Sequence, residues 1–151
     1  MTDPRTPVLV RPATPADHAF IVRGNLEMAL ETEDLRLDEP TLAAGVRAML
    51  DGHAPGAYWI AEVNDEPAGQ LMITYEWSDW RNRIVWWIQS VYVVPTARRH
   101  GVFRQLYAHI RESAAAAGAG GLRLYVDMRN VRAQAVYRSL GMNGEIGRAH
   151  V

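Results

Sequence analysis

Val93-Val94-Pro95-Thr96-Ala97-Arg98-Arg99-His100-Gly101-Val102-Phe103 is the stretch that decides the fold. β-Branched residues running into a proline mark a strand that stops, and an amphipathic segment opening at Gly101 marks a helix that starts. Amide N–H groups at a helix start lack partners within the helix and carry the positive end of its dipole. A glycine among them lets an anion approach closely, and flanking arginines add charge. The stretch therefore predicts a strand–turn–helix unit whose turn cradles a phosphate.

The elements on either side complete an α/β pattern. Val8 to Arg11 reads as a strand, followed by a Pro12–Pro15 turn and a helix over Ala16 to Glu31. The acidic run 31–39 is expected as a loop before a second helix, Thr41 to Leu50. Strands are expected at Tyr58–Val63, Gln70–Trp77 and Ile84–Val94, from β-branched and aromatic runs bounded by turn residues. The third helix runs from about Gly101 to Ala117, with Val102, Phe103, Leu106, Tyr107 and Ile110 on one face. A strand at Leu122–Val126 and a helix at Val131–Leu140 follow, with Asn130 placed to cap that helix and Gly141 to end it. This is one α/β domain over 1–151, built on a mixed central sheet with helices on both faces.

Composition narrows the chemistry. The 151 residues are 48% apolar and 22% charged, values that suit one globular domain. No apolar run reaches the roughly 20 residues of a membrane span, so we expect a cytoplasmic protein without membrane contact. There is no cysteine and no lysine, which removes thiol nucleophiles, thiolate metal sites and Schiff-base chemistry. The five histidines show no metal-ligand spacing, so no metal is expected. Net charge is −1, yet residues 1–80 hold 5 Arg against 14 acids and residues 81–138 hold 10 Arg against 2. One half suits a polyanion and the other a cation. Nucleic acid is not an expected partner.

Three segments together resemble the GNAT acetyltransferase superfamily. Arg98-Arg99-His100-Gly101-Val102-Phe103 follows its Arg/Gln-x-x-Gly-x-Gly/Ala signature except at Phe103. Asn130, Ala133, Val136-Tyr137 and Gly141-Met142 follow its second signature, and Val10 to Asp17 is similar to its first strand and turn. The resemblance implies acetyl-CoA as co-substrate and an N-acetyltransferase working by direct attack in a ternary complex. Main-chain groups of Val91 and Val93 would pair with the pantetheine arm. Amides and side chains from Arg98 and Arg99 through His100, Gly101, Val102 and Phe103 would take the pyrophosphate, and Asn130 would contact the arm. Tyr137 matches the general acid that protonates the departing thiolate. Where relatives offer Gly or Ala, the Phe103 ring is expected to pack beside Leu106 and Tyr107.

The acceptor, a small-molecule or peptide amine, has a harder proton to lose. A lysine-like amine of pKa about 10.4 is neutral about once in 2,500 at pH 7, or about 4.6 kcal/mol. An α-amine near 8 costs only about 1.4 kcal/mol. Some family members carry a carboxylate on the fourth strand, whereas this chain has Gln89, which orients a water or the amine but takes no proton. Glu76 and Asp79 are the nearest candidate bases, followed by Glu31, Glu33 and Asp34. Glu76 to Trp87 holds four of the five tryptophans, and Trp86 and Trp87 must point to opposite sheet faces. We expect Glu31, Asp79, Trp80 and Trp86 to bind the acceptor. The alternatives are another acyl donor or acceptor, or a non-catalytic acyl-CoA-binding sensor domain. Oligomeric state stays open, a homodimer included.

Members of that superfamily continue past the Gly141 position with two further strands, so the C-terminal strands are expected to be truncated here. Ile146-Gly147-Arg148-Ala149-His150-Val151 also matches a reading frame of a short-read sequencing adapter. The expectation is a natural sequence that departs near Gly144 or Glu145, residues 145–151 being an assembly artefact.

Overall fold

The computed structural model describes residues 6–126 and 129–143. Five strands, β1 (Val8–Pro12), β2 (Gly56–Val63), β3 (Glu66–Ser78), β4 (Arg83–Val93) and β5 (Gly121–Leu124), form one sheet in sequence order. All neighbours are antiparallel except β4 and β5, which run parallel. Such a pair needs a crossover, and helix α3 (Val102–Ala116) supplies it. Helices α1 (His18–Glu33) and α2 (Glu39–Leu50) join β1 to β2, and α4 (Val131–Ser139) follows β5.

The two faces are covered by different helices. Val102, Leu106 and Ile110 recur along α3 and pack with Leu71, Ile73, Trp86 and Ile88 into the larger core. Leu106 and Ile110 are fully buried, so removing either side chain is worth about 2–5 kcal/mol. On the other face Ile21 and Val22 of α1 and Val46 and Met49 of α2 close over Tyr58 and Ile60. The mixed sheet with helices on both faces is therefore as the sequence predicts.

The differences are local. The acidic run 31–39 is not one loop, because α1 continues through Glu33 and α2 opens at Glu39. Glutamates sustain a helix, and Asp34 at φ 50° ends α1 in a left-handed turn. Asp38 then caps α2 by accepting from the Thr41 N–H at 3.2 Å. The third strand is longer than expected, its first residues pairing back onto the end of β2. The expected departure of the sequence beyond Gly144 lies outside the described residues.

Two irregularities position the site. β5 follows β4 only from Val85↔Gly121 to Ile88↔Leu124. Beyond Ile88, β4 runs five residues further with β3 on one side and no described strand on the other. At that point the β3–β4 register shifts, Ile73 facing Ile88 and Met72 facing Ser90, so Gln89 is an extra, bulged residue. Before the bulge Trp86 and Ile88 face α3; after it Val91 and Val93 do, while Tyr92 turns toward α1.

Candidate functional site

The gap beside the end of β4 opens into a cleft of about 770 Å³. Its walls are Val91–Val93, the turn from Ala97 to Arg104, the C-terminal part of α1 and the α4 face bearing Asn130, Ala133 and Tyr137. The cradle turn has an unusual backbone. Arg99 at φ 66° and Gly101 at φ 81° both lie in the left-handed region, on either side of His100. Alternation of hand turns successive N–H groups toward one side, and Gly101 opens α3 with no side-chain cap. Arg99, Arg104 and Arg132 line the cleft and form no ion pair among the described residues. The cleft thus offers helix N–H groups and three uncompensated cations, a fit for a polyanion such as CoA.

Arg98 is used differently. Its Nη1 and Nη2 donate to both oxygens of Glu31 at 2.5 and 2.8 Å, its Nε donates to the Val93 carbonyl at 2.9 Å, and it covers the Tyr92 ring. That bond holds the Glu31 carboxyl below its usual range. Beside it, Tyr92 Oη donates to Glu27 at 2.8 Å; burial first and then Glu27 push the phenol up to about 12. Glu31, placed by sequence on the acceptor side, and Arg98, placed on the pyrophosphate, are one ion pair.

Tyr137 reaches the cleft from the side opposite α1 and rests edge-on against Phe103, ring centres 5.7 Å apart. Phe103 therefore packs on Tyr137 as well as lining the cleft. Burial, with a smaller contribution from Tyr107, raises the Tyr137 phenol above its ordinary value, so it is protonated at neutral pH. Asn130 caps α4, its Oδ1 accepting from the Ala133 N–H at 3.0 Å, and its residue also lines the cleft. Val102 is buried, and His100 is half-buried with an Nδ1 that has no partner.

Gln89 and Glu76 share the sheet face opposite α3. Gln89 Nε2 donates to Thr74 Oγ1 at 2.7 Å, and Trp87 Nε1 donates to Glu76 Oε2 at 2.5 Å. These two rungs stand about 7 Å apart, the repeat of alternate strand residues. Arg123 of β5 adds a bond from Nη1 to Glu76 at 3.3 Å, and Tyr125 stacks on Trp87 at 4.7 Å. Sequence reasoning missed Arg123, Tyr125 and Trp87 as site residues. The signal was present only as the strand alternation that sets Trp87 opposite to Trp86.

Trp86 requires a correction. It is 8% exposed in the α3-side core, its ring 5.8 Å from Trp59 and 5.7 Å from Tyr75, and it has no surface for an acceptor. Asp79 and Trp80 also fall away from the cleft. They sit in the β3–β4 turn, with Trp80 93% exposed, and the eight steps along β4 from Arg83 to Val91 span about 26 Å. Among the described residues, no group of three or more His, Asp or Glu could hold a metal, and no helix is long and apolar enough to cross a membrane.

Known proteins match this arrangement. The family model for the acetyltransferase (GNAT) family matches residues 26–142. The thialysine N-epsilon-acetyltransferase of Bos taurus is 29% identical over 143 residues, 89% of this chain and 83% of the relative. A possible acetyltransferase from Clostridium difficile 630 superposes with a TM-score of 0.85 at 38% identity, over 95% of this chain and 97% of that one. An aminoglycoside N-acetyltransferase solved with CoA gives a TM-score of 0.73 at 17% identity, over 97% and 93%, a likeness of fold. With a strand–turn–helix cradle, a parallel β4–β5 gap and a family match over most of its length, the chain belongs to the GNAT acetyltransferase family.

Proposed function

We propose that the protein is a cytoplasmic N-acetyltransferase that moves an acetyl group from acetyl-CoA to a primary amine by direct attack. The observation that carries this reading is the cleft itself. One cavity is bounded by the left-handed cradle at Arg99–Gly101, three unpaired arginines and a neutral Tyr137. A polyphosphate fits the first two, and a leaving thiolate needs the third.

Arg99 and the amides from His100 to Phe103 take the pyrophosphate, and Arg104 and Arg132 compensate further negative charge. Main-chain groups of Val91 and Val93, free of β5, hold the pantetheine arm as an added strand, with Asn130 on its far side. Acetyl-CoA supplies an activated thioester carbonyl. A β4 amide near Val91 stabilises the charge that develops on its oxygen. The amine nitrogen forms the new N–C bond, the C–S bond breaks, and Tyr137 gives its proton to the sulfur. Gln89, its amide N–H spent on Thr74, presents its oxygen to an amine N–H. Glu76 is the carboxylate on that face and receives the amine proton through water. Arg98 and Glu31 act as a strut between α1 and the cradle.

A thiol-release assay with acetyl-CoA and a panel of amines tests the proposal. Acceptor-dependent release of CoA supports it. Acetyl-CoA binding with no transfer across the panel would favour a sensor domain, the reading that Gln89 in place of a strand carboxylate makes worth testing.

A further inference from the structure

The sequence places 14 acids in its first 80 residues, as though the acceptor were a polycation. In the folded chain the carboxylates at the site are already matched. Glu31 is paired with Arg98, Glu27 with Arg23 and Tyr92, and Glu76 with Arg123 and the Trp87 indole. Gln89 and Ser90, on β4 between Trp87 and the cleft, are uncharged. A polyamine or aminoglycoside would find little uncompensated negative charge on this face.

What the face does offer is a cation and an anion side by side against an aromatic wall. Among the described residues Arg123, its side chain 18% exposed, gives one hydrogen bond, the long 3.3 Å contact with Glu76, and its buried Nε has no partner. Its guanidinium also covers Trp87, whose ring stacks with Tyr125. A guanidinium has five N–H donors in a fork that matches a carboxylate. Tyr125 is 79% exposed, so the wall is accessible from solvent. Trp87 lies four residues from Val91, about 13 Å along the strand that lines the donor cleft.

We propose, building on the acetyl-transfer reading, that the acceptor is an α-amino acid: its carboxylate takes the open donors of Arg123, its amine lies between Glu76 and Gln89, and its side chain rests on Trp87 and Tyr125. The zwitterion brings one charge for each member of the Glu76–Arg123 pair, so its two ends find opposite partners. Its amine also suits a site without a strand carboxylate. The carboxylate beside it raises a free amino acid's amine above the roughly 8 of a peptide α-amine, yet leaves it below the roughly 10.4 of a lysine-like amine, so it is neutral at pH 7 more often than the latter. The nitrogen attacks as the neutral amine, its second proton leaves through Glu76 and water, and the sulfur receives the Tyr137 proton.

The full chain is assayed for CoA release with L-phenylalanine, L-methionine, their amides, spermidine and kanamycin. The free amino acids are expected to exceed the amides and spermidine at least ten-fold in kcat/KM, although the amides, with no carboxylate beside the amine, carry the more often neutral nucleophile. Arg123→Gln should abolish the acid-over-amide preference while acetyl-CoA affinity stays within two-fold of wild type, and Arg123→Lys should retain part of it. Should Arg123→Gln fail to fold, the wild-type acid-to-amide ratio decides alone. Equal or better turnover of amides, spermidine or kanamycin overturns the acceptor class and leaves acetyl transfer standing. An unchanged preference in Arg123→Gln overturns the role of Arg123. Absence of turnover with every acceptor overturns the acetyl-transfer reading and this inference with it.

Discussion

Arg98 and Glu31 meet in a two-point bond across the mouth of the cleft, and the same guanidinium ties back to the Val93 carbonyl. The pair joins α1 to the turn that opens α3, so it ties together two walls of the cleft. Both side chains are more than a third exposed, which limits the Coulomb contribution. Glu31→Gln should therefore cost about 0.5–1 kcal/mol in chemical denaturation. Arg98→Ala should cost about 1–2 kcal/mol more, because the Val93 bond and the Tyr92 contact go with it. Acetyl-CoA affinity by calorimetry should follow the same order, and equal losses in the two variants would remove Val93 from the account.

Tyr137→Phe keeps the ring against Phe103 and removes only the proton donor. The expected outcome is a fall in kcat of about 10²–10³ with KM for acetyl-CoA within two-fold. Because burial raises this phenol, its ionisation should not reduce kcat at any pH below about 10. Steady-state kinetics across pH 6–10 decide both points.

The cradle has two left-handed residues with opposite expectations. At Gly101 an added Cβ meets nothing within 4 Å, so Gly101→Ala should lose only the backbone preference, about 1 kcal/mol. Arg99 holds φ 66° with a full side chain, a strained choice for an L-residue. Arg99→Gly should raise stability by up to about 1 kcal/mol while weakening acetyl-CoA binding. Thermal melts with and without acetyl-CoA separate the two effects; a destabilised Arg99→Gly would be the contrary result.

Far from the cleft, buried Asp17 accepts both terminal nitrogens of Arg11 at 2.8 and 2.9 Å, and also the Thr14 N–H at 2.7 Å. The Arg11 bond holds the Asp17 carboxyl below its usual value. Its contribution is thus complete above about pH 4, the unfolded value, and disappears as pH falls through the lower folded value. Asp17→Asn should cost about 2–3 kcal/mol at pH 7 and far less near pH 2, read from urea melts at both pH values.

Much of the cleft's backbone was legible because its signals are local. A proline stop, two arginines and a glycine state a backbone shape, and Asn130 and Gly141 mark the ends of α4 as the structure has them. The ion pairs were not legible, because they join distant positions. Glu31 and Arg98 are 67 residues apart and Glu76 and Arg123 are 47, and no periodicity announces such a pair. Alternation did set Trp86 and Trp87 on opposite faces. Which face α3 would cover is a tertiary outcome, and it buried the one expected at the acceptor.

The extra residue at Gln89 shifts the numbering of the two halves of β4 against each other. Upstream, odd-numbered Trp87 looks away from α3; downstream, odd-numbered Val91 and Val93 look toward it. Substitutions on the Trp87 face before the bulge therefore leave untouched the Val91 and Val93 side chains that look toward α3. Deleting Gln89 would leave Ile88 toward α3, Ser90 away and Val91 toward it, an unbroken alternation, so both halves would keep their faces and only the kink and added twist of the bulge would be lost.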